Sequence, residues 1–225
     1  GHSPTMTDAA ASPVNTPPST SATATDPASS RASRFTPLLW LLFAASGAAA
    51  LVYELVWFHL LRLSVGASAI SLAFLLGSFM GGMCLGSWLL PRLLPRHWHP
   101  LRVYALLELG IGVCGAAMPL LLPVLGRLYA EHGGADTAAL SWRGAICALA
   151  LLPPTVLMGA TLPAIARWLD STPRGLAQLG RFYGANISGA VLGTLTAGFW
   201  LLPTYDVRTA TWVAVGLNVA IAAIA

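Results

Sequence analysis

The sequence predicts an all-α polytopic membrane protein, a bundle of six transmembrane helices behind a disordered N-terminal tail, and three observations predict it. Of the 225 residues 56% are apolar and 9% charged, with a mean hydropathy of +0.71. A soluble domain carries roughly 25% charged residues, so a water-soluble fold of this size could not cover its surface. From Thr36 onward the apolar residues gather into runs, each near the roughly 20 residues that a helix rising about 1.5 Å per residue needs to cross a hydrocarbon core of about 30 Å. Trp40, Trp57, Trp88, Trp142, Trp168, Trp200 and Trp212 fall near the ends of those runs, where aromatic belts meet headgroups.

Residues 1–33 are rich in Ser, Thr, Ala, Pro and Asp with almost nothing large to bury, and read as a disordered tail. No basic start leads at once into an apolar core, so a cleaved signal peptide is not expected there. Helices are expected at 36–61, 67–91, 101–124, 143–168, 179–202 and 207–225. Pro119 and Pro123 fall late in the third, Pro153, Pro154 and Pro163 in the fourth, and Pro203 ends the fifth. Each removes a backbone donor and bends or stops a helix. The fourth is therefore expected to be kinked or broken around Pro153–Pro154, as discontinuous helices beside transporter sites are. Residues 126–142 are expected to form one sizeable outward loop with a short interfacial helix. The last run is still apolar at Ala225, which raises the expectation that the native chain continues.

All twelve basic residues are arginine, and they lie between apolar runs. Without a basic patch, a nucleic-acid partner is not supported; the partner is the lipid bilayer. Arg31, Arg34, Arg92, Arg96, Arg102, Arg167, Arg174 and Arg181 fall on one side of the expected topology, and Arg62, Arg127, Arg143 and Arg208 on the other. The positive-inside bias then places both termini in the cytoplasm. Cys84, Cys114 and Cys147 lie inside apolar runs with neither disulfide nor zinc spacing. His97 and His99 lack a third ligand nearby, and Glu131, His132 and Asp136 lack metal-ligand spacing. No metal and no cofactor is expected in this chain.

Gly110, Gly112 and Gly115 form G-x-G-x-x-G. A dinucleotide site needs a preceding strand, a following helix and an acidic residue about 20 positions on, whereas these glycines lie within one apolar run. They are read instead as small residues that let helices approach. The same device recurs at Gly77/Gly81, at Ser78/Gly82/Gly86 and at Ala185/Gly189/Gly193/Ala197. Two stripes on the second helix predict that it is central.

Ionisable residues inside a bilayer are functional candidates by default, and Glu54 and Glu108 are the only acidic residues in the expected spans. Glu54 is either a cation or proton site facing a cavity, with Tyr53 or His59 nearby, or a structural carboxylate paired with Arg62. Glu108 is either a site or a cytoplasmic-side clasp to Arg102 or Arg181. Their depths predict that the two do not meet. Asn186, with Tyr183 one turn before it, either lines a cavity or makes an interhelical hydrogen bond. No nucleophile, cofactor loop or pair of carboxylates at catalytic spacing is present, so catalysis by this segment is not expected.

The runs SGAAALVYELVW (46–57), LGSFMGGMCLGSWLLPRLLPR (76–96), YALLELGIG (104–112), LMGATLPAIAR (157–167) and GRFYGANISGAVLGTLTAGFWLLP (180–203) resemble the membrane part of bacterial fused proteins. In those, a major-facilitator-like module precedes a spermidine-synthase-like domain. The G-x-x-x-G-S-x-x-x-P-R stretch is similar to the signature after the second helix of major facilitators but lacks their usual acidic residue. The resemblance implies a half-facilitator module in a bacterial inner membrane, transporting a polyamine or related amine. Its alternative is a non-transporting anchor for a downstream aminopropyltransferase-like domain in the same polypeptide. Six helices are half of a usual transporter, so a homodimer that rebuilds the cavity is a further expected arrangement.

Overall fold

The computed structural model describes residues 27–65, 69–95, 97–132, 137–169 and 175–225. Helix α1 runs Pro27–Val65, α2 Ala69–Leu93, α3 Pro100–His132, α4 Thr137–Leu169 and α5 Gly175–Thr196. A π-helical turn, Ala197–Leu201, and the short α6, Leu202–Thr204, extend α5 before α7, Val207–Ile224. Among the described residues there is no strand, and six helices are long and apolar enough to cross a membrane. The protein is thus an all-helical, multi-pass membrane protein in architecture. The expected tail lies outside the described residues up to position 26; α1 starts at Pro27, and its apolar span covers Thr36–Leu63.

Two tightly packed helix pairs form the frame. In the first, α2 lies on α4 so closely that side chains at Gly82 and Gly86 would overlap Thr155 and the Val156 carbonyl, and one at Gly159 would overlap the Met83 backbone. In the second, α1 lies on α5, where Gly189 and Gly193 meet the carbonyls of Ala44 and Ala48, and Gly47 meets Asn186. Helix α3 packs against α4, α7 and α1, and so joins the pairs. Its glycines serve three neighbours: Gly110 faces Leu157 of α4, Gly112 faces Asn218 of α7, and Gly115 faces the Tyr53 ring of α1.

Helix α4 runs unbroken through Pro153 and Pro154, so of the expected kink or break the break is absent. The backbone groups that proline frees can be re-satisfied by neighbours, and one such repair is visible. Pro163 has no N–H for the carbonyl four residues back, and Ser87 of α2 donates to that carbonyl, on Gly159, at 2.9 Å. At the end of α5, Pro203 cannot donate to the Phe199 carbonyl, and the helix relaxes there into the π turn.

Three further expectations are corrected. The outward loop over 126–142 shrinks to the undescribed 133–136, because α3 continues to His132 and α4 begins at Thr137; a helix need not end where the bilayer does. The side chains of Glu131, His132 and Asp136 lie outside the described residues. Helix α2 is peripheral: nothing lies within 4 Å of a side chain added at Gly77 or Gly81, and 28% of its span is buried against 50% for α1. Four-residue spacing reveals a shared face without saying whether a neighbour covers it. Trp57 is no headgroup anchor but a core residue, stacked on Tyr53 with ring centroids 5.3 Å apart and tilted against Phe79.

Substituting alanine separates the two glycine classes. Gly189→Ala should lower the melting temperature in detergent, by overpacking worth about 1–3 kcal/mol. Gly81→Ala, on an open face, should be neutral or stabilising by up to about 1 kcal/mol. Equal effects in a fluorescence melt would refute the α1–α5 seam. Asp206 caps α7, its carboxylate accepting from the Thr209 N–H at 2.8 Å, and the bonds to Thr209 hold that carboxyl below the usual carboxylate range. Its contribution is therefore present above the ordinary carboxylate pKa and is lost as pH falls through the lowered one. Asp206→Ala should melt below the parent at neutral pH, with the gap narrowing in strong acid.

Candidate functional site

One face of α1 carries Ser46, Gly47, Ala50, Leu51 and Glu54, at the spacing i, i+1, i+4, i+5, i+8 that keeps residues in one helical stripe. This stripe walls a cavity of about 350 Å³, within the roughly 300–1,000 Å³ usual for ligand sites. Leu76, Phe79, Met80 and Met83 of α2 supply an apolar wall, with Ile111 and Met158 behind. Helix α5 contributes Tyr183, Asn186, Ile187 and Ala190, and α7 contributes Asn218. Alanine lines the cavity once on each of α1 and α5, at Ala50 and Ala190.

Glu54 enters the cavity half-buried, and among the described residues no hydrogen bond or ion pair engages its carboxylate. The expected partner, Arg62, is exposed and lies over the Phe58 ring at 5.7 Å. It stands two turns farther along the helix, about 12 Å at roughly 1.5 Å per residue, beyond reach of the carboxylate. His59 is exposed and away from the cavity. Tyr53, adjacent in sequence to Glu54, turns about 100° away and buries its ring against Gly115 of α3. Its hydroxyl has no partner.

Glu108 is fully buried, with 0% of its surface exposed. The expected clasp to Arg102 or Arg181 does not form. Six residues separate Glu108 from Arg102, which turns them to different sides of α3; Arg102 is exposed. Arg181 is exposed and lies 6.0 Å from the Trp40 ring. Instead Ser46 of α1 donates its hydroxyl to Glu108 Oε1 at 2.6 Å, and Asn218 of α7 donates Nδ2 to Oε2 at 2.6 Å. Tyr104, one turn earlier on α3, stands close to the same carboxylate and donates its hydroxyl to the Leu42 carbonyl of α1 at 3.4 Å. A carboxylate only accepts hydrogen bonds, so it fixes the Asn218 amide with its nitrogen toward Glu108. Asn218 Oδ1 is left buried and without a partner.

The two carboxylates do not touch, yet the structure gathers them about one cavity: Glu54 lines it, and both donors to Glu108 line it. Asn186 does both things expected of it, lining the cavity while its Nδ2 donates to the Phe43 carbonyl at 3.0 Å. Tyr183 is exposed at the cavity's edge. Sequence reasoning missed Ser46 and Asn218. Asn218 carried a usable signal, a lone amide in the apolar run VAVGLNVAIAAIA; Ser46 reads from sequence as one more small packing residue. Among the described residues no group of His, Cys, Asp and Glu could hold a metal ion, and His97 and His99 are exposed in the α2–α3 connection.

Ser46→Ala and Asn218→Ala should each destabilise the bundle by about 1–3 kcal/mol, the cost of leaving a buried acceptor short of a donor. In the Glu108→Gln background each should cost measurably less, because the partners are coupled. Additive losses in detergent melts would show that the contacts are incidental. The chain matches no protein-family model, no curated protein and no solved structure.

Proposed function

We propose that this chain is the membrane module of a transporter that receives an organic amine in the central cavity, with Glu54 as the group that holds its ammonium. The observation that carries the reading is the Glu54 carboxylate, which has no partner among the described residues and faces a cavity with mainly apolar walls. Inside a bilayer such a carboxylate needs a cation or water. Side-chain walls of leucine, methionine and phenylalanine suit a cation that carries hydrocarbon, and suit a hydrated inorganic ion poorly.

The narrower expectation of a polyamine rests on the resemblance to fused synthase proteins alone, as do the bacterial inner membrane and a downstream synthase-like domain, whereas cytoplasmic termini rest on the arginine bias. In this reading a second copy of the chain faces the open side of the cavity, beside the uncovered Gly77 and Gly81 of α2. The anchor reading leaves the Glu54 carboxylate unexplained.

Purified protein in liposomes should accumulate a labelled alkylamine above protein-free vesicles. Glu54→Gln should reduce that uptake at least about tenfold, the loss of one charge-assisted contact, while its melting temperature stays near the parent's. Uptake unaffected by Glu54→Gln would remove the site, and absence of uptake in the parent would favour the anchor.

A further inference from the structure

The cavity has a second polar end that the amine reading leaves unused. Asn218 is 1% exposed and lines the cavity, and its Oδ1 has no partner among the described residues. Ser46 beside it has given its proton to Glu108, so its oxygen offers only lone pairs to the cavity. Directly behind both stands the Glu108 carboxylate, one hydrogen bond away. This end presents acceptors, with the Glu108 carboxyl group behind them. An ammonium, with several N–H donors, can donate to both acceptors at once.

Glu54 marks the opposite end. Ser46 and Glu54 lie on the same stripe of α1, eight residues apart, which is about 12 Å along the axis at roughly 1.5 Å per residue. They straddle the middle of the span Thr36–Leu63. Between them the lining is aliphatic and small on α1, at Ala50 and Leu51, and apolar on α2, at Leu76, Met80 and Met83. The geometry points to a two-ended site for an extended aliphatic dication: one ammonium on Glu54, the other on Asn218 Oδ1 and Ser46 Oγ with Glu108 behind, and a methylene chain along the apolar wall. This inference rests on the amine reading and adds to it a second cation subsite and a length rule.

The length rule is quantitative. An extended chain of single bonds advances roughly 1.2 Å per bond, so the nine bonds between the nitrogens of 1,8-diaminooctane cover about 11 Å, and those of 1,4-diaminobutane cannot reach both ends at once. A monoamine that keeps the length, 8-amino-1-octanol, can hold Glu54 but brings no charge to the other end.

The test is equilibrium binding to the purified full chain in detergent, with diamines from 1,4-diaminobutane to 1,12-diaminododecane and with 8-amino-1-octanol. Affinity should be greatest near 1,8-diaminooctane and exceed that of 8-amino-1-octanol by about tenfold or more, as expected of an added charge-assisted contact. Asn218→Ala and Ser46→Ala should each remove most of that advantage, and a cooperative melt of each variant in detergent reports that it is folded. Glu54→Gln should weaken both ligands. If affinity is flat with chain length, or if 8-amino-1-octanol binds as well as the diamine while Glu54→Gln weakens both, the second subsite is overturned and the amine reading survives. If neither ligand binds the parent, the amine reading itself fails.

Discussion

The burial of one carboxylate constrains the rest of this bundle. An ion withdrawn from water costs several kcal/mol unless its lone pairs are met in good geometry, and Glu108 is withdrawn completely. Its donors come from two other helices: Ser46 on α1 and Asn218 on α7. Each must stand at the right height. Sliding α7 by one residue would bring Leu217 or Val219 toward the carboxylate and leave an oxygen unmet. In lipid, where hydrocarbon surrounds every helix, apolar side chains say little about which heights match. The Glu108 contacts supply that information for α1, α3 and α7.

The other registers are set by backbone proximity. Where α1 meets α5 and α2 meets α4, glycines place one helix against the carbonyls of the next. Such seams gain dispersion contacts that lipid would otherwise supply, and they admit no side chain at the crossing. The Ser87 hydroxyl on the Gly159 carbonyl shows how a proline inside a span becomes an asset to packing. The acceptor freed by Pro163 is satisfied from a different helix, so the defect in α4 becomes a tie between α4 and α2.

The sequence was informative about what each residue is, and less so about what it faces. Six spans and their approximate limits follow from hydropathy, because the bilayer fixes the length of a crossing helix. The helices run past the membrane at α3 and α4, since the hydropathy signal stops at the interface while backbone hydrogen bonding does not. Gly77 and Gly189 are indistinguishable by spacing, yet one is uncovered and the other is pressed against Ala44. Glu108 was legible as a buried ionisable group. Its neighbours were not, because arginine is the obvious partner for a carboxylate in sequence, whereas the fold supplies hydroxyls and an amide from residues 62 and 110 positions away.

The contrast between the two glutamates explains why a cavity exists at all. Glu108 has its donors, and the helices close around it. Glu54 has none among the described residues, and beside it the cavity lining includes Ala50 one turn earlier on α1 and Ala190 on α5, so the helices leave a space there. A void next to an unmet carboxylate would be doubly costly if it stayed empty, losing dispersion contacts on its apolar walls and solvation at the charge. Filling it with bulkier residues and replacing Glu54 by a neutral one would relieve both costs. The proposed amine would relieve both as well, its ammonium meeting the carboxylate and its hydrocarbon the apolar walls.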